Sequence, residues 1–94
     1  MKIDLGKNEL IHFVGIGGIG MSGLALIMNE LGYKVQGSDI FKNRNIERLS
    51  EKKIKVFVNH KKENIKKTTV LVISSAIKKN NPELSEAMKK KLPI

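Results

Sequence analysis

The sequence predicts an α/β domain of three layers, in which a parallel sheet of about five strands carries helices on both faces. Short apolar and β-branched runs alternate along the chain with segments whose apolar residues recur at helical spacing. Strands and helices that alternate in this way are joined by right-handed crossovers, which place helices on the faces of a parallel sheet. The 94 residues suffice for one such domain over residues 1–94 and leave no room for a second.

The first half of the chain begins with a polar lead over residues 1–9. Residues 10–14 are apolar apart from one histidine and predict the first strand. A helix follows over about residues 18–31, with a glycine after it as a typical stop, and residues 34–38 predict the second strand. Four apolar side chains recur at helical spacing and are expected to form the core face of the helix: Leu24, Ile27, Met28 and Leu31.

The second half repeats the alternation with shorter elements. Residues 45–51 predict a short helix that turns Ile46 and Leu49 inward. A third strand is predicted at residues 54–58, and residues 61–65 predict a loop or a single turn.

The last quarter of the chain predicts one more strand and one more helix. The uninterrupted apolar and β-branched run of residues 69–73 is typical of a strand buried on both faces. Pro82 suits the first turn of a helix that ends near Lys90. Residues 92–94 have the character of the beginning of a further strand.

The composition excludes several classes of protein. An apolar fraction of 40% together with clear periodicity excludes a disordered chain. The chain has no cysteine, and its two histidines lack the spacing of metal ligands, so we expect no disulfide and no metal site. No apolar run approaches the roughly 20 residues that span a bilayer, and no secretory segment follows the first residues. We therefore expect a cytoplasmic protein without a membrane partner.

The formal net charge of +9 raises the question of a nucleic-acid partner. Most lysines stand in short clusters late in the chain, and aromatic residues, at 4%, do not interleave with them. We interpret these lysines as a solvated surface whose positive field assists anionic ligands, and we expect no specific nucleic acid. An interaction or nucleic-acid module that uses this surface is an alternative, and its binding would fall steeply with salt.

A G-x-G-x-x-G pattern lies between the first strand and the first helix. Gly15 allows the tight turn off the strand, Gly17 lets the backbone approach a phosphate, and Gly20 lets the helix pack closely on the strand. Free backbone N–H groups and the positive end of the helix dipole then face the same point. The chain is therefore expected to bind a nucleotide or its diphosphate.

Ligands of parallel α/β sheets bind beyond the carboxyl ends of the strands, where three loops of this chain converge: residues 15–22, 38–43 and 74–77. Asp39 ends the second strand, where such folds place a carboxylate for a ribose hydroxyl. Ser74 and Ser75 are expected to contact the ligand. For Ser22, capping of the first helical turn and contact with a phosphate are equally open. His12 is expected to serve packing or a hydrogen bond at a sheet edge.

Three segments together carry a specific resemblance. They are the string GIGGIGMSG at residues 15–23, the ending Gly37-Ser38-Asp39, and SSAI at residues 74–77 with Asn81-Pro82-Glu83 after it. In this order they resemble the amino-terminal domain of the UDP-N-acetylmuramate:L-alanine ligases, in the Mur ligase family. The resemblance implies a Rossmann-like domain that holds the UDP part of UDP-N-acetylmuramate during peptidoglycan precursor synthesis. It also implies a full enzyme that is an amide ligase dependent on ATP and magnesium.

The resemblance and the loop positions together give the residues expected to contact the UDP-sugar. Among them His60 is included because the family has a histidine there, near the uridine. The set is Gly15, Gly17, Gly18, Ile19, Gly20, Met21, Ser22, Ser38, Asp39, His60, Ser74, Ser75 and Ala76. No catalytic residue is expected among them.

The chain departs from the family pattern in two respects. Ile46 stands where the family usually has a threonine. The family's phosphate-binding loop is missing, since no G-K-[ST] occurs in the sequence. We therefore expect no cofactor in this chain, no ligation by the chain alone, and partnership with the central ATP-binding and carboxyl-terminal domains that it lacks. An NAD-binding module of a dehydrogenase or regulatory protein is the main alternative, because the glycines and Asp39 would serve an adenosine ribose equally well.

Overall fold

Four parallel strands form one sheet in a computed structural model that describes residue 6 and residues 8–94. Most of the predicted polar lead lies outside the described residues. The order across the sheet is β3-β2-β1-β4. The strands are β1 (Leu10–Val14), β2 (Lys34–Asp39), β3 (Lys55–Val58) and β4 (Val70–Val72). Since the chain moves outward from β1 to β3 and then returns to the other side of β1, the order reverses between β1 and β4.

Among the described residues, two α-helices and one 3₁₀ turn connect the strands, and a third α-helix follows β4. They are α1 (Ile19–Glu30), α2 (Arg44–Glu51), the 3₁₀ turn (Lys62–Ile65) and α3 (Pro82–Lys89). The side chain of Asn43 caps α2 by accepting from the N–H of Ile46 at 2.9 Å. The side chain of Asn81 caps α3, with Pro82 in its first turn as predicted. Each predicted helix and strand through residue 90 is present, with ends that differ by no more than one residue.

The two faces of the sheet have separate cores, and the three-layer prediction is confirmed. On one face Phe13 and Ile16 pack with residues of α1 and α2, among them Leu49. On the other face Val14 and Leu71 pack with residues of α3 and the 3₁₀ turn. Neighbouring residues of β4, Val70 and Leu71, belong to opposite cores, so this strand is buried on both faces as predicted.

The predicted fifth strand is not formed within the described residues, so the sheet has four strands. The carbonyl of Pro93 nevertheless accepts a hydrogen bond from the N–H of Leu71 at 2.9 Å. The last residues therefore lie beside the free edge of β4. One backbone bond is too few to make a strand.

The core face predicted for α1 is wrong. Leu24, Ile27 and Leu31 are 43%, 59% and 59% exposed, and of the predicted four only Met28 packs against the core. The buried residues of α1 are Ser22 and Ala25. Small side chains let the helix lie close to the sheet, whereas the apolar stripe points to the opposite side of the helix. By contrast, Ile46 and Leu49 of α2 are buried as predicted.

Among the described helices, none combines the length and the apolarity needed to cross a bilayer.

Candidate functional site

The turn from β1 into α1 depends on one glycine conformation. Gly15 has a φ of +79°, in the left-handed region that favours glycine, so its predicted role in the tight turn is confirmed. The N–H groups of Gly15 and Ile16 both donate to the carbonyl of Ser38, at 2.9 and 3.0 Å. The turn is thereby fixed to the carboxyl end of β2.

The amino end of α1 has backbone donors and no side-chain cap. Gly18 is the N-cap residue, and it accepts the first helical bond from the N–H of Ser22 at 2.8 Å. The N–H groups of Ile19, Gly20 and Met21 belong to the first turn, which offers them no intrahelical acceptor. Because Gly18 and Gly20 lack side chains and are exposed, an anion can reach these donors.

Two predicted roles in the first turn of α1 are corrected. A Cβ added to Gly20 would meet nothing within 4 Å, so close packing of this glycine on the strand is wrong. The close approach occurs at Gly37, where a Cβ would lie 2.6 Å from the carbonyl oxygen of Phe13. Ser22 does not cap the helix, because its hydroxyl donates back to the carbonyl of Ile19 at 3.2 Å. Its predicted contact with a phosphate stays a prediction.

Asp39 joins the second loop to the glycine loop. Its Oδ2 accepts from the N–H of Gly17 at 2.8 Å, and its Oδ1 accepts from the N–H of Ile40 at 2.8 Å. The carbonyl of Gly17 in turn accepts from the side-chain amides of Asn43 and Asn45, at 3.1 and 2.9 Å. Both the N–H and the carbonyl of Gly17 are therefore held by side chains from the end of β2 and the segment after it.

The close approach at Gly17 is made by a protein group. A Cβ added to Gly17 would lie 2.7 Å from Oδ2 of Asp39 and 3.1 Å from the side chains of Asn43 and Ile46. Glycine is thus required here even before any ligand is considered. Sequence reasoning missed Asn43 and Asn45, although asparagines that follow a strand and precede a helix are a usual signal for capping and loop contacts.

The third loop lies against the first. The N–H of Ile77 donates to the carbonyl of Ser74 at 3.2 Å, which closes a turn over residues 74–77. The Ser74 hydroxyl oxygen accepts from the N–H of Ala76 at 3.3 Å, and Ser75 and Ala76 are exposed. A Cβ added to Gly15 would lie 3.5 Å from Cδ1 of Ile77. The three loops therefore meet at the carboxyl edge of the sheet, as the sequence predicts.

A buried carboxylate lies behind these loops, on the face of the sheet that α3 covers. Glu83 is fully buried. Its Oε1 accepts from Nε2 of His12 at 2.9 Å and from the hydroxyl of Ser38 at 2.5 Å. Its Oε2 accepts from the side-chain amide of Asn64 at 2.7 Å and from the N–H of Lys61 at 3.1 Å. One side chain from α3 therefore connects three segments of the chain besides its own.

The pKa of Glu83 reflects two opposing influences. Burial raises the pKa of this carboxyl, and hydrogen bonds from His12, Ser38 and Asn64 outweigh burial and hold the pKa below its usual value. The carboxylate is therefore ionised at neutral pH. In this state each of its oxygens only accepts hydrogen bonds, which agrees with the donors that surround it.

The two histidines have different environments. His12 is fully buried on β1, an interior strand, so the predicted packing role is confirmed, and its hydrogen bonds are made inside the sheet and not at a sheet edge. Its Nδ1 accepts from the side-chain amide of Gln36 at 2.8 Å. His60 follows β3 and is part-buried, with Nδ1 at 2.8 Å from the hydroxyl oxygen of Ser38 and 3.5 Å from Oε1 of Glu83.

Sequence reasoning missed the participation of Glu83, Gln36 and Asn64. Glu83 entered the sequence analysis only as the last residue of Asn81-Pro82-Glu83 and was assigned no contact. A signal was present in the strands, since His12 stands between two apolar residues and Gln36 and Ser38 are two positions apart on the next strand. In the sheet all three share one face. Polar side chains that share a buried face require partners, and an element packed on that face has to supply them.

Comparisons with known proteins agree with this architecture. A family model described as "Mur ligase family, catalytic domain" matches residues 10–94. A UDP-N-acetylmuramate--L-alanine ligase of Pelagibacter ubique is 67% identical over all 94 residues, and one of Brucella ovis is 56% identical over the same length. The chain spans about a fifth of the length of these curated relatives, 20% and 19% respectively.

Two solved structures share the fold. The UDP-N-acetylmuramate-alanine ligase of Thermotoga maritima superposes with a TM-score of 0.86 at 38% identity, covering 89% of this chain and 20% of that one. The UDP-N-acetylmuramate:L-alanyl-gamma-D-glutamyl-meso-diaminopimelate ligase of Neisseria meningitides gives 0.83 at 30% identity, covering 90% of this chain and 27% of that one. The α/β fold predicted from the sequence is therefore confirmed.

Proposed function

The chain belongs to the Mur ligase family, and from that premise we propose that it binds the UDP part of UDP-N-acetylmuramate as the substrate-recognition domain of an ATP-dependent UDP-N-acetylmuramate:L-alanine ligase in peptidoglycan synthesis. The observation that carries the proposal is the uncapped amino end of α1 at the meeting point of three loops. Family membership supplies the identity of the ligand, and the loop geometry supplies a place for its phosphates.

The diphosphate is assigned to the first turn of α1. Backbone N–H groups at a helix amino end, together with the helix dipole, favour an anion. The N–H of Gly17 already donates to Asp39, and the N–H of Gly18 donates to the carbonyl of Gly15 at 3.1 Å, so the donors left for the phosphates are those of Ile19, Gly20 and Met21. Asp39 orders the loop, and its oxygens retain lone pairs that can accept from a ligand hydroxyl.

The serines and the histidine complete the proposed contacts. Ser74, Ser75 and Ala76 present their turn to the same edge of the sheet, and His60 stands at the end of β3 beside Ser38. These residues would surround the uridine and the sugar. Catalytic residues are not proposed in this chain.

The residues present do not fit ATP and magnesium. A phosphate-gripping loop of the P-loop type ends in Gly-Lys followed by Ser or Thr, and the glycine loop here continues into Met21-Ser22. In the part of the chain that the structure describes, no three His, Cys, Asp or Glu residues form a group that could hold a metal ion. The ATP-dependent step is therefore assigned to the parts of the relatives that extend beyond this chain.

Calorimetric titration tests the proposed ligand. UDP-N-acetylmuramate is expected to bind more tightly than NAD, because the resemblance extends beyond the glycine pattern into the neighbouring loops. UDP alone should retain measurable binding. If NAD is clearly the tighter ligand, the chain is a dinucleotide-binding module and the proposal is wrong.

A matched pair of variants tests the place of binding. Gly20 and Gly23 both have open space for a Cβ, and both lie in α1, but only Gly20 is in the first turn. Helical side chains tilt toward the amino end, so Gly20→Leu should cover the free N–H groups and lower the affinity for UDP at least tenfold. Gly23→Leu should leave the affinity unchanged. Equal affinities in the two folded variants would contradict the assignment.

A further inference from the structure

The buried network around Glu83 determines where the proton of each histidine lies. The side-chain nitrogen of Gln36 donates to the carbonyl of Asn64 at 2.9 Å, which identifies it as the amide nitrogen. The same nitrogen lies 2.8 Å from Nδ1 of His12, so that Nδ1 accepts and carries no hydrogen. Nε2 of His12 must then carry the hydrogen that it donates to Glu83.

The hydrogen of the Ser38 hydroxyl can be assigned in the same way. A serine hydroxyl has one hydrogen to donate, and the carboxylate of Glu83, at 2.5 Å, can only accept it. Ser38 therefore has only lone pairs for Nδ1 of His60 at 2.8 Å. It follows that Nδ1 of His60 carries a hydrogen and donates it to Ser38.

The second nitrogen of His60 is available to a ligand. Among the described residues, no buried side-chain nitrogen or oxygen is left without a hydrogen-bond partner. Nδ1 makes the hydrogen bond of His60 to the protein, so Nε2 is in reach of solvent at the carboxyl end of β3. In a neutral imidazole with hydrogen on Nδ1, Nε2 is a bare acceptor.

We propose that Glu83, acting through Ser38, is a positioning residue that holds His60 in the Nδ1–H form, so that Nε2 accepts a hydrogen bond from the nucleotide. The proposal rests on the proposed function and adds the chemistry that His60 selects. The ligand group that meets Nε2 must be a donor, either the imide N–H of uracil or a ribose hydroxyl. A phosphate oxygen, which only accepts, is refused while the ring is neutral.

The nitrogen spectrum of the two histidines tests the network without any ligand. The chain has only two histidines, and the structure gives them opposite tautomers. Two-dimensional ¹⁵N–¹H spectra of the ring nitrogens, recorded in mildly alkaline buffer, should show hydrogen on Nε2 of His12 and on Nδ1 of His60. His60→Asn assigns the signals. Hydrogen on Nε2 of His60 in the folded protein would overturn the proposal.

Variants of Ser38 separate positioning from folding. Ser38→Ala removes the link between Glu83 and His60, and the Nδ1–H form of His60 should give way to a mixture of the two forms. Ser38→Thr keeps the hydroxyl and should restore the wild-type spectrum. A network that is merely structural would not control the tautomer of His60. An unchanged His60 spectrum in folded Ser38→Ala would therefore also overturn the proposal.

Nucleotide analogues identify the donor that Nε2 meets. UDP methylated at N3 lacks the imide hydrogen, and 2′-deoxy-UDP and 3′-deoxy-UDP each lack one ribose hydroxyl. One of the three should bind wild type about tenfold more weakly than UDP, and His60→Phe should abolish that difference. If UDP binds and no analogue shows a penalty that depends on His60, the inference is wrong. If UDP does not bind wild type, the proposed function fails and the ligand contact of His60 with it, while the nitrogen spectrum still decides the tautomer.

Discussion

At the scale of single residues, Glu83 links the stability of the domain to pH. Its pKa is lowered in the folded state by donors that the unfolded chain does not provide. A group with a depressed folded pKa contributes stability above its unfolded pKa, which is about 4.3 for Glu, and loses that contribution as the pH falls through the folded pKa. The free energy of unfolding should therefore decrease on acidification from about pH 5 downward.

Replacement by the neutral amide tests this link. In Glu83→Gln an NH₂ group replaces one of the two carboxylate oxygens. In one orientation it faces the donors of His12 and Ser38, and in the other it faces those of Asn64 and Lys61. Unfolding in urea at pH 7 should show a loss of about 2–4 kcal/mol, and the dependence on pH below about 5 should be flatter than in wild type. Glu51→Gln, at an exposed position, is the control and should change neither. A variant as stable as wild type at pH 7 would contradict the role of the carboxylate.

Gly17 and Asp39 form a second pair whose coupling can be measured. A Cβ on Gly17 would come within 2.7 Å of Oδ2 of Asp39, so Gly17→Ala should cost about 1–3 kcal/mol of stability. Asp39→Ala removes the obstructing oxygen, and the double variant should be more stable than the sum of the single losses predicts, by about 1 kcal/mol or more. Gly20→Ala, with open space for its Cβ, should not destabilise. Strict additivity of the two changes, measured by urea unfolding, would contradict a clash with this oxygen.

The turn at Gly15 and the meeting of three loops could be predicted from the sequence, because both follow from the glycine pattern and from parallel strands. The sequence did not reveal that the N–H of Gly17 belongs to Asp39, since the two residues are 22 positions apart. Pairings of this kind depend on tertiary geometry, which a motif does not contain. The network of Glu83 was hidden for the same reason, since Glu83 and His12 are 71 positions apart.

At the scale of the elements, α1 shows how a periodic pattern can select the wrong face. Helical periodicity identifies the longer apolar stripe, yet the face that meets the sheet is formed by Ser22 and Ala25. Steric room decides here, because the buried positions of α1 hold only small side chains, while the larger Met21, Leu26 and Met28 pack against the core from partly buried positions. The positions of the strands were predictable because short apolar and β-branched runs stand between polar loops. The position of α2 was predictable because Ile46 and Leu49 mark one buried face of that helix.

Because Ser22 and Ala25 form the buried face of α1 and the apolar stripe does not, we expect an unusual order of mutational effects in this helix. Ile27→Gln, at a side chain that is 59% exposed, should change the free energy of unfolding by no more than about 0.5–1 kcal/mol. Ala25→Leu, at a fully buried position, should cost about 1–3 kcal/mol through overpacking. Leu49→Ala in α2 is the reference for a large core loss, at about 2–5 kcal/mol. Thermal or urea unfolding measures all three changes in stability. A larger loss of stability for Ile27→Gln than for Ala25→Leu would show that the predicted apolar stripe is the core face after all.

At the scale of the whole molecule, alternation of strands and helices was enough to predict three layers and the edge of the sheet where a ligand would bind. It was not enough to fix the number of strands, because residues 92–94 make a backbone bond to Leu71 without forming a strand. What can be proposed about function is limited in a similar way. The chain spans about a fifth of the length of its curated relatives, and the function proposed for it is recognition of a substrate without the means to activate it.

The whole chain is therefore expected to be catalytically silent. With ATP, magnesium, L-alanine and UDP-N-acetylmuramate, phosphate release should stay at the buffer background, because no loop supplies the lysine that grips ATP phosphates. The full-length relative from Pelagibacter ubique is the positive control. Stoichiometric formation of the alanyl product by the purified 94 residues would require an ATP site of a different kind and would overturn this expectation.

The bonds of Glu83 also have a consequence for synthesis on the ribosome. Translation delivers about 5–20 residues per second, so His12, Gln36 and Ser38 emerge seconds before their carboxylate partner does. Until α3 arrives, Nε2 of His12 and the hydroxyl of Ser38 lack the carboxylate of Glu83, and water has to take its place as their partner. Folding of this domain is therefore expected to be completed late, when nearly the whole chain has left the exit tunnel. Nascent chains arrested before residue 83 should remain open to protease, and those released beyond α3 should resist it.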